Sequence, residues 1–518
     1  MISSESHKYD KYIADGHGAR WAAADEIKSD SYRLDLQAEK YPVAGIPLLS
    51  DGKTAYVDAD DRHAIIWGST GSKKTRLFVL PLTNICIRAG ESFVVMDPKG
   101  EIYRNSTNNA RENGYQVVVL NLRDLGHGDQ WNPLSVPYHL YRAGKIDEAA
   151  NMVNDFVKVL LGNRINEKDV MWSQLASSYI TAHMLFLFGQ EDERIVNMKS
   201  VARMCAEDVV PDLQALIKTL PVNSQEATTY NVILNINDRT RTSATSYAYS
   251  MVSMFNAQQQ LASALSKTTF SMEDMADKKT AIYLIVPDEK DTYHFLGSLF
   301  VKQLYEAMIS AAQKTKDGKL PIRMNYILDE FCNMPTIPDM VSMITAARSR
   351  NMRFYLFVQG MHQLLGKYDR DAETIKGNCD NWFFLNSREY ALLQEISQLC
   401  GTRKKGGVEE ALISTSQLQH LNKEKGECVV FYHRNYPFVS QLADISEYRM
   451  FDNPCTERVY GKAFKSDCAV VDLKLLKKQR GVEGDGLPRR VSAAEMEEKR
   501  KAKIEMIRKL VEDGKKDS

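Results

Sequence analysis

Eight consecutive residues, Gly68, Ser69, Thr70, Gly71, Ser72, Lys73, Lys74 and Thr75, follow the apolar run 63–67 directly and lead into a helical pattern. A glycine-rich turn between a strand and a helix presents a row of backbone N–H groups at the positive end of the helix dipole. That is the chemistry of a phosphate cradle. In the pattern G-x-x-x-x-G-K-[ST], Lys74 reaches the β- and γ-phosphates and the Thr75 hydroxyl holds Mg²⁺. One position departs from the pattern, because Lys73 stands where it requires glycine. Glycine there lets the backbone close on the phosphate, whereas a lysine has a narrower choice of φ and ψ and a side chain to place. The extra charge favours phosphate. The segment therefore reads as a site for ATP and Mg²⁺ in which Lys73 leaves hydrolysis an open question.

Further groups extend this chemistry. The apolar run 324–328 ends in Asp329 and Glu330, some 255 residues downstream of Lys74. An acidic pair at a strand end supplies a carboxylate for Mg²⁺, here Asp329, and one to orient and deprotonate an attacking water, here Glu330. The next apolar run, 353–358, ends in Gln359, which is placed either to sense a γ-phosphate or to cap the strand. Arg348 and Arg350 sit in the turn before that run. They read either as arginine fingers reaching a neighbouring subunit's nucleotide or as a solvated helix end. Asp97 ends the run 92–96 at the edge where ligands of open α/β sheets bind, with Lys99 two residues on. The Asp-Pro and Lys-Gly steps there read equally well as turn chemistry.

Positioning these groups requires a sheet. Nearly all-apolar runs at 63–67, 92–96, 116–120, 281–286, 324–328, 353–358, 382–386 and 428–432 have the character of buried parallel strands. Helical patterns at 295–312, 338–348 and 390–399 alternate with them, as in an open α/β sheet with right-handed crossovers. The stretch between the third and fourth runs is about 160 residues, far too long for one crossover. It carries helical periodicity at 147–161, 171–188, 198–204, 212–220 and 243–265. The expected fold is an α/β sheet domain (46–135 and 270–450) with an inserted all-α domain (136–269). An N-terminal segment (1–45) and a charged tail (451–518) flank it, the tail carrying one amphipathic helix at 493–511.

Composition narrows the function. Lysine plus arginine equals aspartate plus glutamate, 67 each in 518 residues, so bulk charge does not coat nucleic acid and any such contact must be local. Residues 141–280 carry a net charge of about −2 and residues 471–518 about +4, so no basic face stands out in the insert. The eight cysteines show no Cys-x-x-Cys spacing and no clustering with the ten histidines, which argues against a zinc site or disulfide framework and points to reduced, mostly buried thiols. The longest apolar run, 179–188, is half of the roughly 20 residues a membrane span needs. The chain reads as cytoplasmic. Tyr230, Arg239, Arg241 and Tyr247 are an aromatic and basic group within the insert, explained most cheaply as a polar inter-helix turn.

The ordered set of segments resembles a known family. Residues 68–75, Met96-Asp-Pro-Lys-Gly-Glu-Ile-Tyr103, Trp131-Asn-Pro-Leu134, Met171-Trp-Ser-Gln-Leu-Ala176, Leu328-Asp-Glu-Phe331, Phe357-Val-Gln-Gly-Met-His-Gln-Leu364 and Gly377-Asn-Cys-Asp-Asn381 fall in the order seen in the TraG/TraD-type coupling ATPases of type IV secretion and conjugation. His17-Gly-Ala-Arg-Trp-Ala22 resembles the segment before their phosphate-loop strand, and the likeness spans roughly residues 15–445. It implies a RecA-like P-loop NTPase sheet with an inserted all-α domain, assembled as a homo-hexamer at the inner face of the bacterial cell membrane. Such a ring receives a relaxase–DNA complex or a protein substrate and hands it to the type IV secretion channel at the expense of ATP. The resemblance carries Lys74 and Thr75 over as nucleotide and Mg²⁺ contacts, Asp329 and Glu330 as the acidic pair, and Gln359 as the polar residue after it. The family's membrane helices, which precede the His17 segment, are not seen, so the anchor is expected to have been removed or to belong to a partner protein. A non-hydrolysing substrate receptor and a soluble DNA translocase remain as alternatives.

Overall fold

The computed structural model describes residues 18–482 except 163–169, 235, 406–407, 449–450, 452 and 458–459. These residues fall into two units, one holding 18–162 with 258–468 and the other 170–257 with 469–482. The helix expected at 493–511 and the start of the His17 segment lie outside the described residues.

In the first unit, β1 (Tyr32–Asp35), β2 (Ile46–Ser50) and β3 (Thr54–Asp58) form a small antiparallel sheet in the order β1-β3-β2. The main sheet is built from β4 (Ala64–Gly68), β5 (Ser92–Met96), β6 (Gln116–Asn121), β7 (Thr280–Ile285), β8 (Met324–Leu328), β9 (Met352–Val358) and β10 (Asn381–Asn386). After a two-stranded ribbon, β11 (Thr402–Lys405) and β12 (Val408–Ala411), it gains β13 (Glu427–Tyr432) and β14 (Phe438–Gln441). The order is β14-β13-β10-β4-β9-β8-β5-β7-β6, parallel from β10 to β6. Every residue of β4, β5, β7, β8 and β9 is buried, as a parallel sheet covered on both faces demands. This is the expected α/β architecture.

One expectation is corrected. The apolar character of 428–432 implies a parallel strand, but β13 pairs antiparallel with β10, Asn381 opposite Tyr432, and turns into β14 as a hairpin. A buried apolar run carries no sign of its direction. β14 itself alternates buried and exposed residues, the mark of a half-covered edge strand.

The second unit is helical: Val170–Phe188, Met198–Met204, Val210–Ile217, Gln225–Leu234, Asp238–Val252 and Met254–Ala257. The helix expected across 243–265 is broken into pieces, the last of which, Gln259–Ala264, belongs to the first unit. Helices Ser135–Arg142 and Ile146–Leu161 also group with the sheet, where Asp155 lies 3.6 Å from the buried ammonium of Lys302. A late segment completes the helical unit. Helix Leu473–Gln479 packs on Val210–Ile217, with Lys477 Nζ 2.8 Å from Asp212. No helix among the described residues is long and apolar enough to cross a membrane. The eight cysteines are free thiols, seven of them buried.

Candidate functional site

The sheet order decides which side chains meet. β9 lies between β4 and β8, with Trp67 opposite Val358 and Leu328 opposite Leu356, so the carboxyl ends of these three strands stand side by side. The loop 68–75 leaves β4, Asp329 and Glu330 leave β8, and Gln359 leaves β9.

Beyond the loop the chain enters a π-turn, Thr75–Val79, and then helix Leu80–Ala89. Pro81 has no N–H to give the Leu77 carbonyl, and the widened turn lets the Leu80 N–H donate to the Thr75 carbonyl instead. Gly71 and Lys73 both take left-handed backbone, at φ 77° and 68°. Lys73 thus adopts the conformation that glycine takes freely, at a cost of about 1–2 kcal/mol for a side-chain-bearing residue. Its Nζ lies 2.6 Å from Glu424 Oε2. Lys74 is buried and donates to the Gly68 carbonyl at 2.7 Å, with Glu330 Oε1 3.7 Å away. Ser69 is tied to β10, its N–H donating to the Asn386 carbonyl at 3.2 Å and its Oγ to Asn386 Oδ1 at 2.8 Å. The Ser72 N–H donates to the Ser69 carbonyl, while the Ser72 hydroxyl is buried with no hydrogen-bond partner.

Thr75 Oγ1 donates to Asp329 Oδ2 at 3.1 Å. Asp329 is buried, and loss of solvent, followed by the adjacent Glu330 charge, raises its pKa to about 7 against the opposing pull of Lys74 and Thr75. Glu330 is itself in left-handed backbone, φ 53°, and its N–H donates to Asp329 Oδ1 at 3.0 Å. Its Oε2 accepts from Gln359 Nε2 at 2.6 Å and from Asn333 Nδ2 at 3.3 Å. Gln359 Oε1 in turn accepts from Thr70 Oγ1 at 3.4 Å. A polar chain therefore runs from Thr70 through Gln359 and Glu330 to Lys74, beside the Thr75–Asp329 pair. The arrangement offers backbone N–H groups and a lysine to an anion, a hydroxyl and a carboxylate to a hard cation, and a half-buried carboxylate–amide pair to water.

The other sequence candidates lie elsewhere. Arg348 and Arg350 occupy the turn before β9, whereas Gln359 follows it. A seven-residue strand spans roughly 23 Å, so neither guanidinium meets the loop of its own chain. Arg348 pairs with Asp380 at 2.9 Å, and Arg350 donates to the Ala346 carbonyl and the Ser349 hydroxyl. Asp97 is buried and works within its own turn, accepting the Tyr103 N–H at 2.8 Å near the start of helix Glu101–Glu112. Burial lifts its pKa to about 6. Lys99 is exposed, and its carbonyl accepts from Tyr460. The other carboxylate oxygen of Asp97, Oδ1, is buried with no hydrogen-bond partner.

Three residues around the site escaped the sequence. Asn386 ends a strand that was legible, as Gln359 does, so its polar terminus was a usable signal. Glu389 accepts the N–H groups of Met361 and His362 at the start of helix Met361–Tyr368, directly after Gln359 and Gly360. Glu424 meets Lys73 from 351 residues away, with no local pattern to mark it.

A family model described as type IV secretory system conjugative DNA transfer matches residues 20–425. Protein VirD4 of Rhizobium radiobacter is 22% identical over 368 residues, covering 68% of this chain and 50% of that protein, so the chain spans about half the length of the curated relative it matches. Among solved structures, the plasmid coupling protein TrwB in complex with the non-hydrolysable ATP analogue ADPNP superposes with a TM-score of 0.62 at 14% identity, over 86% of this chain and 97% of that one. The same protein in complex with ADP and Mg²⁺ gives a TM-score of 0.61, also at 14% identity and the same coverage. At that identity the likeness is one of fold: a RecA-like P-loop sheet with a helical insert.

Proposed function

The chain belongs to the type IV secretory system conjugative DNA transfer family, and we propose that within it this protein is an ATP-driven coupling protein. In that role it recruits a relaxase–DNA complex or a protein substrate and passes it to the secretion channel. The observation that carries the proposal is the meeting of Lys74, Thr75, Asp329, Glu330 and Gln359 at the carboxyl edge of one sheet.

The residues present fit a nucleotide with Mg²⁺. Thr75 and Asp329 would hold the ion, since a hydroxyl and a carboxylate are the hard oxygen donors that Mg²⁺ takes alongside phosphate oxygens and water. Bound Mg²⁺ would neutralise charge on the phosphates during transfer. The unpartnered Ser72 hydroxyl and the buried Lys74 ammonium suit phosphate oxygens. Glu330 would orient and deprotonate the attacking water, and Gln359 holds the Glu330 carboxylate while reaching Thr70 of the loop. The glycine-like backbone of Lys73 supports turnover over a non-hydrolysing receptor, because the conformation the loop requires is met without glycine. Arg348 and Arg350, on the far side of the sheet, are assigned to a neighbouring subunit's nucleotide within a homo-hexameric ring. DNA, channel components and an anchoring membrane partner complete the proposed setting, at the inner face of the cell membrane.

The test is Mg²⁺-dependent ATP hydrolysis by the full chain, with and without DNA. Glu330→Gln should keep nucleotide affinity while turnover falls by roughly 10²–10⁴-fold, the usual contribution of a general base. Turnover unchanged by Glu330→Gln would remove Glu330 from this role. No hydrolysis by the wild type would leave the receptor.

A further inference from the structure

The start of the phosphate-loop helix is held from one side by two ion pairs. Lys73 Nζ lies 2.6 Å from Glu424 Oε2. Three residues on, Arg76 Nε donates to Asp444 Oδ2 at 2.9 Å and its Nη2 engages Oδ1. Glu424 lies in the short turn Lys423–Lys425 just before β13, and Asp444 follows β14. Because β13 and β14 are antiparallel, with Glu427 opposite Gln441, both carboxylates stand at the open end of one hairpin.

That end is closely built. The Leu442 N–H donates to the Gly426 carbonyl at 3.0 Å. Gly426 is left-handed, φ +62°, and a Cβ there would run into the Leu442 carbonyl oxygen. Asn422 Oδ1 accepts the N–H groups of Glu424 and Lys425 and fixes the turn. The carboxylate that meets Lys73 is thus carried on an ordered support.

We propose that Glu424 is a positioning residue for the phosphate loop, holding the Lys73 side chain toward the hairpin so that lysine can occupy the loop's left-handed position while the loop N–H groups stay open to phosphate. This role rests on the assignment of residues 68–75 as a nucleotide site. A side chain at that position has to be placed somewhere. Free, its ammonium hangs at the mouth of the cradle and its backbone relaxes toward right-handed conformations that turn N–H groups away. Held by a short charge-assisted bond, both excursions are suppressed. The opposite role, with Lys73 as a phosphate ligand that Glu424 restrains, makes the opposite prediction, since removing Glu424 would then tighten binding.

Equilibrium binding of a fluorescent ATP analogue with Mg²⁺ to the full chain decides the sign. Glu424→Gln should weaken affinity by roughly five- to tenfold, the scale set by losing the compensation for one left-handed residue. Glu424→Asp should keep most of the affinity. In the Lys73→Gly background, where no side chain needs holding, Glu424→Gln should change nothing. The Glu424 side chain is 69% exposed, so its replacement leaves the fold intact, and thermal melts of each variant check this. Tighter or unchanged binding by Glu424→Gln, or an equal loss in both backgrounds, overturns the proposal while leaving the nucleotide site standing. A wild-type chain that binds no nucleotide overturns the site assignment and this role together.

Discussion

Lys73 and His63 show at single-residue scale how the strand entering the site and the loop leaving it are held. Lys73 breaks the glycine rule in composition and keeps it in geometry. His63 precedes β4 and is fully buried. Its Nε2 faces the Ile344 carbonyl at 2.8 Å and its Nδ1 accepts the Phe354 N–H at 3.0 Å, which fixes the neutral Nε2–H form. Burial holds its pKa down to about 4. An unfolded chain takes up this proton near pH 6.5 and the folded one only near 4. The stability from neutral His63 is therefore full above pH 6.5 and lost as pH falls through that window, to a ceiling of about 3 kcal/mol. Melting temperature recorded between pH 7 and 4 should fall less steeply in His63→Leu than in wild type, from a lower plateau, because Leu strands the Ile344 and Phe354 backbone groups. Equal slopes would show that other groups set the acid sensitivity.

Among the elements, β9 is the strand on which the site depends. It separates the strands that carry the loop and the acidic pair, and it carries Gln359 to meet both. It is also the least apolar of the buried strands at its start, because Arg353 lies within it at 0% exposure. That guanidinium is matched by Glu91 Oε2 at 2.5 Å, Asn325 Oδ1 at 3.0 Å and the Ala44 carbonyl at 3.1 Å. Glu91→Ala leaves the charge buried without a carboxylate and should cost about 3–5 kcal/mol, read as a lower urea midpoint, with Gln359-dependent turnover falling in step. A near-neutral result would mean that Asn325 and the carbonyls suffice.

The sequence made these strands visible as apolar runs, since burial on both faces writes itself into composition. It also showed which residues end them, so Lys74, Thr75, Asp329, Glu330 and Gln359 were legible as a set. It could not show strand order, and hence that β9 intervenes between β4 and β8. It could not show direction, and β13 runs antiparallel although its residues are as apolar as those of its parallel neighbours. Contacts such as Lys73–Glu424 and Ser69–Asn386 join residues hundreds of positions apart and leave no periodicity behind. Arg348 and Arg350 precede β9, and Asp97 and Lys99 follow β5, but sequence alone does not say what each side chain touches. Only the folded chain shows that Arg348 pairs with Asp380 and that Asp97 accepts the Tyr103 N–H.

At the scale of the whole molecule, the chain builds two units that are each discontinuous. The sheet is interrupted by residues 170–257, and the helical unit is completed only by 469–482. Asn197 Nδ2 donates to the Ala469 carbonyl across 272 residues, and the Val471 N–H donates to Ser200 Oγ. Leu473 is 4% exposed where its helix meets Val210–Ile217. Leu473→Ala should destabilise the helical unit by about 2–4 kcal/mol, seen as an earlier helical transition in denaturant with the sheet transition unmoved. A single shifted transition for the whole chain would show instead that the two units unfold as one.

The helix Leu473–Gln479 also sets a timetable. Residues 170–257 leave the ribosome long before it does, and at 5–20 residues per second the interval is roughly 10–40 s. Throughout that time the nascent helical segment has its own helices but lacks the one that covers Val210–Ile217, while β7 to β10, β13 and β14 of the sheet it interrupts emerge one after another. Synthesis from one end therefore cannot finish either unit early. The newborn chain carries two incomplete cores at once, and helix Leu473–Gln479 closes the insert only after the sheet strands on either side of it have been made.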